Sequence, residues 1–208
     1  MPNIAIAPTA TVSSTAVLGR SFRHLLNGLK PPQYGEVRVE DNAYIGEFCV
    51  IGCDVWLGSG TIVDDFSKLE PGVRIGRRNL LIYGSQICCD VTCGDDNVIG
   101  GFVGESTSIG SNCRIFGRIV HRQEDPIKPW DDEASAEGAP TIADNCFIGF
   151  GATIIGAVEL APFSYVAAGA IVSRSVPSRT VVIGTNKHVP ISEWKGSLKA
   201  SPFFLERN

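Results

Sequence analysis

Aliphatic residues recur at every sixth position over most of the chain. Eleven consecutive slots of this count are apolar, from Val39 to Ile99. The count then loses two residues at Gly100-Gly101 and continues to Ile115. After a gap it resumes with the same period. The slots beyond the first run are Val103, Ile109 and Ile115, then Ile142, Ile148, Ile154, Leu160, Val166 and Val172, and the same spacing occurs earlier at Ile6, Val12 and Leu18.

A period of six is neither the period of a strand, two, nor that of a helix, 3.6. One short strand followed by one tight turn accounts for it. Three such units close a triangular coil of about 18 residues, and successive coils stack with parallel, in-register strands. Small or β-branched residues stand four positions after most slots, where the interior is narrow. The pattern therefore predicts an all-β stack of triangular coils.

Three interruptions divide this single repeat domain, which we assign to residues 1–208. The first contains an amphipathic segment followed by Pro31-Pro32, and it predicts a short helical cap within residues 18–38. The second is the two-residue loss at Gly100-Gly101. The third is a loop of about twenty residues, 122–140. We expect the tail, 185–208, to pack on the stack through its aromatic residues.

A histidine stands at the position of the six-residue repeat where the long loop begins. Position 121, six after Ile115, should be aliphatic but is His121. A polar, titratable residue in an interior slot beside a loop is a candidate for chemistry, because histidine exchanges protons near neutral pH.

Composition narrows the class of protein. A net charge of −4 gives no support for a nucleic-acid partner, and no apolar run is long enough for a membrane span. The N-terminus lacks the features of a signal peptide, and the seven cysteines are an odd number, so we expect free thiols and a cytoplasmic protein.

The repeat itself explains several cysteines, since Cys49, Cys113 and Cys146 stand in the small slot and Cys93 in the aliphatic one. The cluster Cys88, Cys89 and Cys93 has no nearby histidine, and we expect no metal.

Asn79 and Asn97 are 18 residues apart and should stack in adjacent coils. Stacked asparagines share amide hydrogen bonds, so we interpret this pair as structural.

The pattern is a hexapeptide repeat, and the chain resembles the left-handed parallel β-helix acyltransferases. Thr141-Ile-Ala-Asp-Asn-Cys-Phe-Ile-Gly149 is similar to a repeat of the galactoside and xenobiotic acetyltransferases. Tyr165-Val-Ala-Ala-Gly-Ala-Ile-Val-Ser-Arg-Ser-Val-Pro177, followed by Val181-Val-Ile-Gly184, is similar to the ending of their repeat domain. Phe147 replaces the family tryptophan, and Gly184-Thr-Asn-Lys-His188 lacks the family proline.

The resemblance implies an activity and a set of site residues. It implies direct transfer of an acyl group, with acetyl-CoA as co-substrate, to a hydroxyl or amine of a sugar, a nucleotide-linked amino sugar or an antibiotic-like molecule. It assigns the general base to His121, which opens a loop about 20 residues before the matching repeat, as the family histidine does. The coenzyme-A residues that it implies are Phe150, Ala168, Ser173, Arg174, Arg179, Lys187 and His188.

The resemblance also implies a homotrimer, with sites between subunits covered by the protruding loop. In that loop, Trp130, Asp131 and Asp132 are candidates for acceptor binding, because an indole can stack on a sugar ring and carboxylates can hold a polar or cationic acceptor. A solvated acidic loop is the alternative interpretation.

Two other functions remain open. A non-catalytic β-helix scaffold would lack a coenzyme-A site. A γ-type carbonic anhydrase would need three histidines around one zinc ion, and the chain has only His24, His121 and His188, with no local ligand spacing.

Overall fold

A computed structural model describes residues 3–21, 35–121, 138–195 and 197–204. The predicted cap helix and most of the long loop lie outside these residues. The described chain forms three parallel sheets, which we call A, B and C in the order in which each coil visits them. Short strands alternate with turns, and we name the corners by the sheets that they connect: A–B, B–C and C–A.

The strands of each sheet come from successive coils, so each strand pairs with its counterparts one coil below and one coil above. Sheet A contains β1 (Ile4–Ile6), β4 (Val37–Val39), β7 (Trp56–Leu57), β10 (Arg74–Ile75), β13 (Thr92–Cys93), β16 (Ser108–Ile109), β19 (Thr141–Ile142) and β22 (Glu159–Leu160). Sheet B contains β2 (Thr11–Val12), β5 (Tyr44–Ile45), β8 (Ile62–Val63), β11 (Leu80–Leu81), β14 (Val98–Ile99), β17 (Arg114–Ile115), β20 (Phe147–Ile148), β23 (Tyr165–Val166), β25 (Thr180–Ile183) and β26 (Lys187–Pro190). Sheet C contains β3 (Val17–Arg20), β6 (Val50–Gly52), β9 (Lys68–Leu69), β12 (Gln86–Ile87), β15 (Phe102–Val103), β18 (Arg118–Val120), β21 (Thr153–Ile155) and β24 (Ile171–Val172).

The aliphatic slots of the count form the core. Every slot from Val39 to Ile115, and from Ile142 to Val172, is buried. The first coil differs: Ile6 is 44% exposed, because a terminal coil has no described coil beneath it. The prediction of a stacked, parallel all-β architecture is confirmed.

The structure corrects the place of His121 in the repeat. The turn between β17 and β18 contains two residues, 116–117, just as the turn between β14 and β15 contains two, 100–101. Val103 pairs with Ile119, and Ile119 with Ile154, so Ile119 fills the interior slot and is fully buried. His121 lies two residues beyond that slot, in the C–A corner. The interpretation of His121 as a histidine in an aliphatic slot was wrong.

Glycine makes the short turn possible. A Cβ on Gly117 would lie 2.5 Å from the carbonyl oxygen of Ala152 and 2.9 Å from Cγ2 of Ile148. The strands at this corner approach more closely than a side chain allows, so the coil loses two residues without losing register.

The asparagine pair is confirmed as a buried ladder in the A–B corner. Asn97 Nδ2 and the Asn97 backbone N–H both donate to Asn79 Oδ1, each at 2.9 Å. The ladder extends in both directions, because Asn79 N–H donates to Thr61 Oγ1 and Cys113 N–H to Asn97 Oδ1. These amides satisfy polar groups of successive coils inside the prism.

All seven cysteines are free thiols, and six of them are buried. Burial raises the pKa of the Cys93 thiol to about 12, so Cys93 is protonated and packs as a small apolar side chain.

The tail continues the prism and then covers part of sheet B. Strand β26 pairs antiparallel with β25 and is followed by three short 3₁₀ helices, Ile191–Glu193, Ser197–Ala200 and Pro202–Phe204. The ring of Phe203 meets Tyr165 edge to face, with centroids 5.9 Å apart. No helix among the described residues is long and apolar enough to cross a membrane.

We predict that Ile119→Ala lowers the free energy of unfolding by about 2–5 kcal/mol, because it empties a fully buried slot. His121→Ala should change it by less than about 1 kcal/mol, because His121 is only half-buried in a corner. Urea unfolding of both variants measures these changes. Equal losses of unfolding free energy would indicate that His121, and not Ile119 alone, occupies an interior position.

Asn79→Ala should cost about 2–3 kcal/mol, because it removes the buried acceptor of the Asn97 backbone N–H and one of the two oxygen acceptors of the Asn97 amide. The exposed Gln86→Ala is the control and should unfold at the wild-type urea concentration. A variant of Asn79 as stable as the control would show that the ladder contributes nothing.

Candidate functional site

Both long insertions leave the prism at the C–A corner. The first joins β3 to β4, and the second joins β18 to β19. His121 is the last described residue before the second insertion and is half-buried. The other C–A turns among the described residues contain only three or four residues. The two long segments are therefore insertions into short turns of this corner.

Backbone pairing fixes where His121 stands. The N–H of Gly156 donates to the carbonyl oxygen of Val120 at 2.9 Å, and the N–H of Gly104 donates to that of Ile119 at 2.7 Å. These bonds clamp the end of β18 between two coils. The imidazole is therefore carried by a rigid part of the prism, although the loop that follows lies outside the described residues.

Arg174 stands in the same column as His121. Val120 pairs with Ile155, and Ile154 pairs with Val172, so positions 121, 156 and 174 are equivalent in successive coils. At 4.7–4.9 Å per coil, two steps place Arg174 about 10 Å above His121 along the prism.

Ser173 and Arg174 are tied to the chain that follows β25. Asn186 Oδ1 accepts from the Ser173 N–H at 2.8 Å, and Asn186 Nδ2 lies 2.9 Å from Ser173 Oγ. Arg174 donates to the Asn186 carbonyl oxygen at 3.3 Å. Asn186 has a left-handed backbone conformation, with φ of 51°, and its role was missed by the sequence reasoning.

His188 lies beside this group on β26, opposite Val182. Burial lowers the pKa of His188 below its ordinary value, and the positive charge of Arg174 lowers it further. Its Nε2 atom is buried and has no hydrogen-bond partner among the described residues. Lys187, next to it, is exposed. The His188 ring and the cationic side chain of Arg174 thus lie close together, an arrangement that suits an anionic ligand oxygen.

Phe150 and Ala168 lie at the other end of sheet C, in the B–C corner. They are stacked in adjacent coils, since the N–H of Gly169 donates to the Phe150 carbonyl oxygen at 3.0 Å. Phe150 is 82% exposed, the highest value of any large apolar side chain described. Strand β21, Thr153–Ile155, separates this corner from the C–A corner. The implied coenzyme-A residues therefore form two groups along one face.

The structure does not bring Arg179 to either group. Arg179 lies in the A–B corner, with its guanidinium 4.9 Å from the ring centroid of Phe163. It also donates to the carbonyl oxygen of Phe204. Its short sequence distance from Lys187 is misleading, because the intervening β25 carries the chain across sheet B.

The remaining candidates cannot be placed. Trp130, Asp131 and Asp132 lie outside the described residues, so their role stays a prediction. His24 lies outside them as well, and the three-histidine zinc site is therefore not tested.

Sequence reasoning missed a group of potential ligands below His121. Glu70, Cys89 and Glu105 each offer one ligand atom, and these atoms lie within 4.8 Å of one another. Cys89 Sγ is 3.4 Å from Glu70 Oε2. All three residues lie in C–A turns of successive coils.

Comparison with known proteins finds similar chains among curated proteins. The chain is 26% identical over 177 residues to the "Bifunctional protein GlmU" of Chromobacterium violaceum, a match that covers 80% of this chain and 38% of that protein. It is 26% identical over 128 residues to the serine acetyltransferase of Bacillus subtilis, covering 62% of this chain and 49% of that protein. The chain thus spans about half or less of these curated relatives. No protein-family model matches it.

A solved structure shows the same architecture. The UDP-N-acetylglucosamine O-acyltransferase (LpxA) of Moraxella catarrhalis superposes with a TM-score of 0.56 at 13% identity, covering 87% of this chain and 69% of that one. The fold is a left-handed parallel β-helix, as the resemblance implied. The resemblance to the hexapeptide-repeat acyltransferases is confirmed by these relatives.

We predict that NMR titration finds the pKa of His188 below that of an unfolded-chain histidine, which is about 6.5. Arg174→Gln should raise this pKa only in part, because burial is the larger cause and persists. Since the folded state favours neutral His188, stability from this group is present above the unfolded pKa and declines as pH falls below it. An ordinary pKa, unaffected by Arg174→Gln, would contradict the described environment.

Proposed function

We propose that the protein is an acyl-CoA-dependent O- or N-acyltransferase that transfers an acetyl group to a small-molecule acceptor. The observation that carries the proposal is the placement of His121. The His121 side chain stands at the end of a hydrogen-bonded strand, at the start of a long insertion and in the same corner as Ser173 and Arg174. Relatives that include a serine acetyltransferase support this activity.

The residues present fit acetyl-CoA as co-substrate. The buried Nε2 of His188 needs a partner, and a phosphate oxygen would supply an acceptor for its N–H. Arg174 adds positive charge beside it, and we also assign the exposed Lys187 of the same strand to coenzyme-A binding. Phe150 and Ala168 lie in the B–C corner, at the opposite end of sheet C from Ser173 and Arg174, so an elongated molecule is needed to reach both groups. Arg179 has no part in this binding site, because it lies in another corner.

His121 acts as the general base in this proposal. The thioester of the co-substrate supplies an activated acyl carbon. As the acceptor oxygen or nitrogen bonds to that carbon, the carbon–sulfur bond breaks and the coenzyme-A thiolate leaves. His121 accepts the proton of the acceptor and can return it to the thiolate, so the enzyme ends in its starting state. No covalent enzyme intermediate is needed.

The acceptor is proposed from chemistry and from the relatives. A sugar, a nucleotide-linked amino sugar or an antibiotic-like molecule presents the required hydroxyl or amine, and the names of the serine acetyltransferase and of the UDP-N-acetylglucosamine O-acyltransferase point to hydroxyl acceptors in those proteins. We assign Trp130, Asp131 and Asp132 to acceptor binding. We further propose a cytoplasmic homotrimer, and the seven free thiols are consistent with a reducing compartment.

We predict that His121→Asn lowers kcat by about 10²–10⁴-fold in a thiol-release assay with acetyl-CoA and a panel of amine and hydroxyl acceptors. His188→Asn should instead raise KM for acetyl-CoA, because it removes a binding group and not the base. Unfolding curves of both variants serve as the control for structure.

Two results would count against the proposal. Full activity of His121→Asn on a good acceptor would remove the base assignment. Absence of coenzyme-A binding by calorimetry would instead favour the scaffold interpretation of the same prism.

A further inference from the structure

Three side chains with metal-binding atoms converge in the C–A corner, below His121. Glu70, Cys89 and Glu105 come from successive coils. Leu69 pairs with Ile87, and Ile87 with Val103, so the turns that follow these strands are stacked. The thiol and one oxygen of each carboxylate lie within 4.8 Å of one another.

The thiol is enclosed and points into the group. Cys89 is 7% exposed, and its Sγ lies 3.4 Å from Glu70 Oε2. The carboxylates are half-buried on either side of it. Lys68 Nζ binds the other oxygen of Glu70, Oε1, at 2.7 Å. That contact neutralises one carboxylate and leaves Oε2 directed at the thiol.

This corner differs from the A–B corner, where stacked charges pair one to one. There Arg77 and Arg78 bind Asp95 and Asp96 at 2.7 and 2.6 Å. The arginine side chains hold the pKa of both aspartates below their usual values. In the C–A corner a thiol takes the central place between two carboxylates.

We propose that Glu70, Cys89 and Glu105 form a binding site for a divalent metal ion of the zinc type. One sulfur and two oxygens are a ligand set that Zn²⁺ accepts, and three protein ligands with water in the fourth position are common around it. Ligand atoms around a tetrahedral zinc ion are about 3.5 Å apart, given metal–ligand distances of about 2.0–2.3 Å. Atoms within 4.8 Å reach that spacing through small side-chain rotations.

Binding of the metal ion releases one proton. The Cys89 thiol loses its proton to solvent and coordinates as thiolate, and the two glutamates coordinate as carboxylates. Three anionic ligands and Zn²⁺ leave one negative charge, which Lys68 offsets. The bound ion would join three successive coils under the exit of the long insertion. This metal site is separate from the proposed acyl transfer and takes no part in it. It departs from the expectation, drawn from the sequence, that the protein binds no metal.

Cobalt substitution tests the site. Titration of the reduced full-length protein with Co²⁺ should give one equivalent of binding and a sulfur-to-cobalt charge-transfer absorption. Cys89→Ser should abolish that absorption. Glu105→Gln should weaken Zn²⁺ binding by at least about 10–100-fold, the loss that follows removal of an outer-shell partner alone. The matched controls are Cys88→Ser, the neighbouring thiol in the same turn, and Glu47→Gln, an exposed carboxylate in another corner. Both should bind as wild type does.

The outcomes separate this site from the proposed activity. His121→Asn should keep the cobalt absorption while losing acyl transfer. No stoichiometric binding by the wild-type protein would overturn the metal site and leave the acyltransferase proposal intact. Equal loss of the absorption in Cys88→Ser and Cys89→Ser would also overturn it. If Cys89→Ser fails to fold, the comparison of Zn²⁺ binding by Glu105→Gln and by the control Glu47→Gln tests the site. Equal affinities of these two variants would overturn it.

Discussion

Hydrogen bonding between successive coils is the constraint on which the rest of the molecule depends. Each coil donates to the next along three sheets, as in the bond from Gly94 N–H to the Ile109 carbonyl oxygen at 2.9 Å. The bond from Gly110 N–H to the Ile142 carbonyl oxygen is equivalent, at 2.8 Å, although the long insertion separates those residues. A residue's neighbours are therefore set by coil register, and an insertion at a corner leaves that register unchanged.

The interior of the prism could be predicted from sequence because only one kind of side chain fits each place. A slot enclosed on all sides by stacked strands accepts an aliphatic residue, and the narrow position beside it accepts a small one. The same reasoning failed at His121 because it assumed constant coil length. Ile87 to Val103 and Val103 to Ile119 are both 16 residues (103 − 87 and 119 − 103), two fewer than the 18 from Leu69 to Ile87 (87 − 69) in a regular coil. Gly101 and Gly117, also 16 apart, carried the signal for the second short turn.

The polar sites could be predicted only in part, because linear spacing does not show which corner a residue occupies. Arg179 and Lys187 are close in sequence but lie on different sides of β25. Glu70, Cys89 and Glu105 are separated by 19 and 16 residues (89 − 70 and 105 − 89), distances unlike those of a local ligand motif. They become neighbours only when coils of unequal length are aligned. Resemblance to a family supplied His121 and Arg174, and register then showed that both belong to one column.

The C–A corner shows how this fold separates two requirements of a site. Catalytic and binding groups need fixed positions, and the groups proposed for those roles stand beside backbone that is held from both sides, as at Val120 and Gly156. Recognition of an acceptor needs variable chemistry, and our proposal assigns it to the insertion that follows His121 at the same corner. Because the coils below and above an insertion pair as if it were absent, the insertion can differ in length and composition without moving His121. In this architecture we therefore expect acceptor choice to reside in the loop, and proton transfer to reside in the prism.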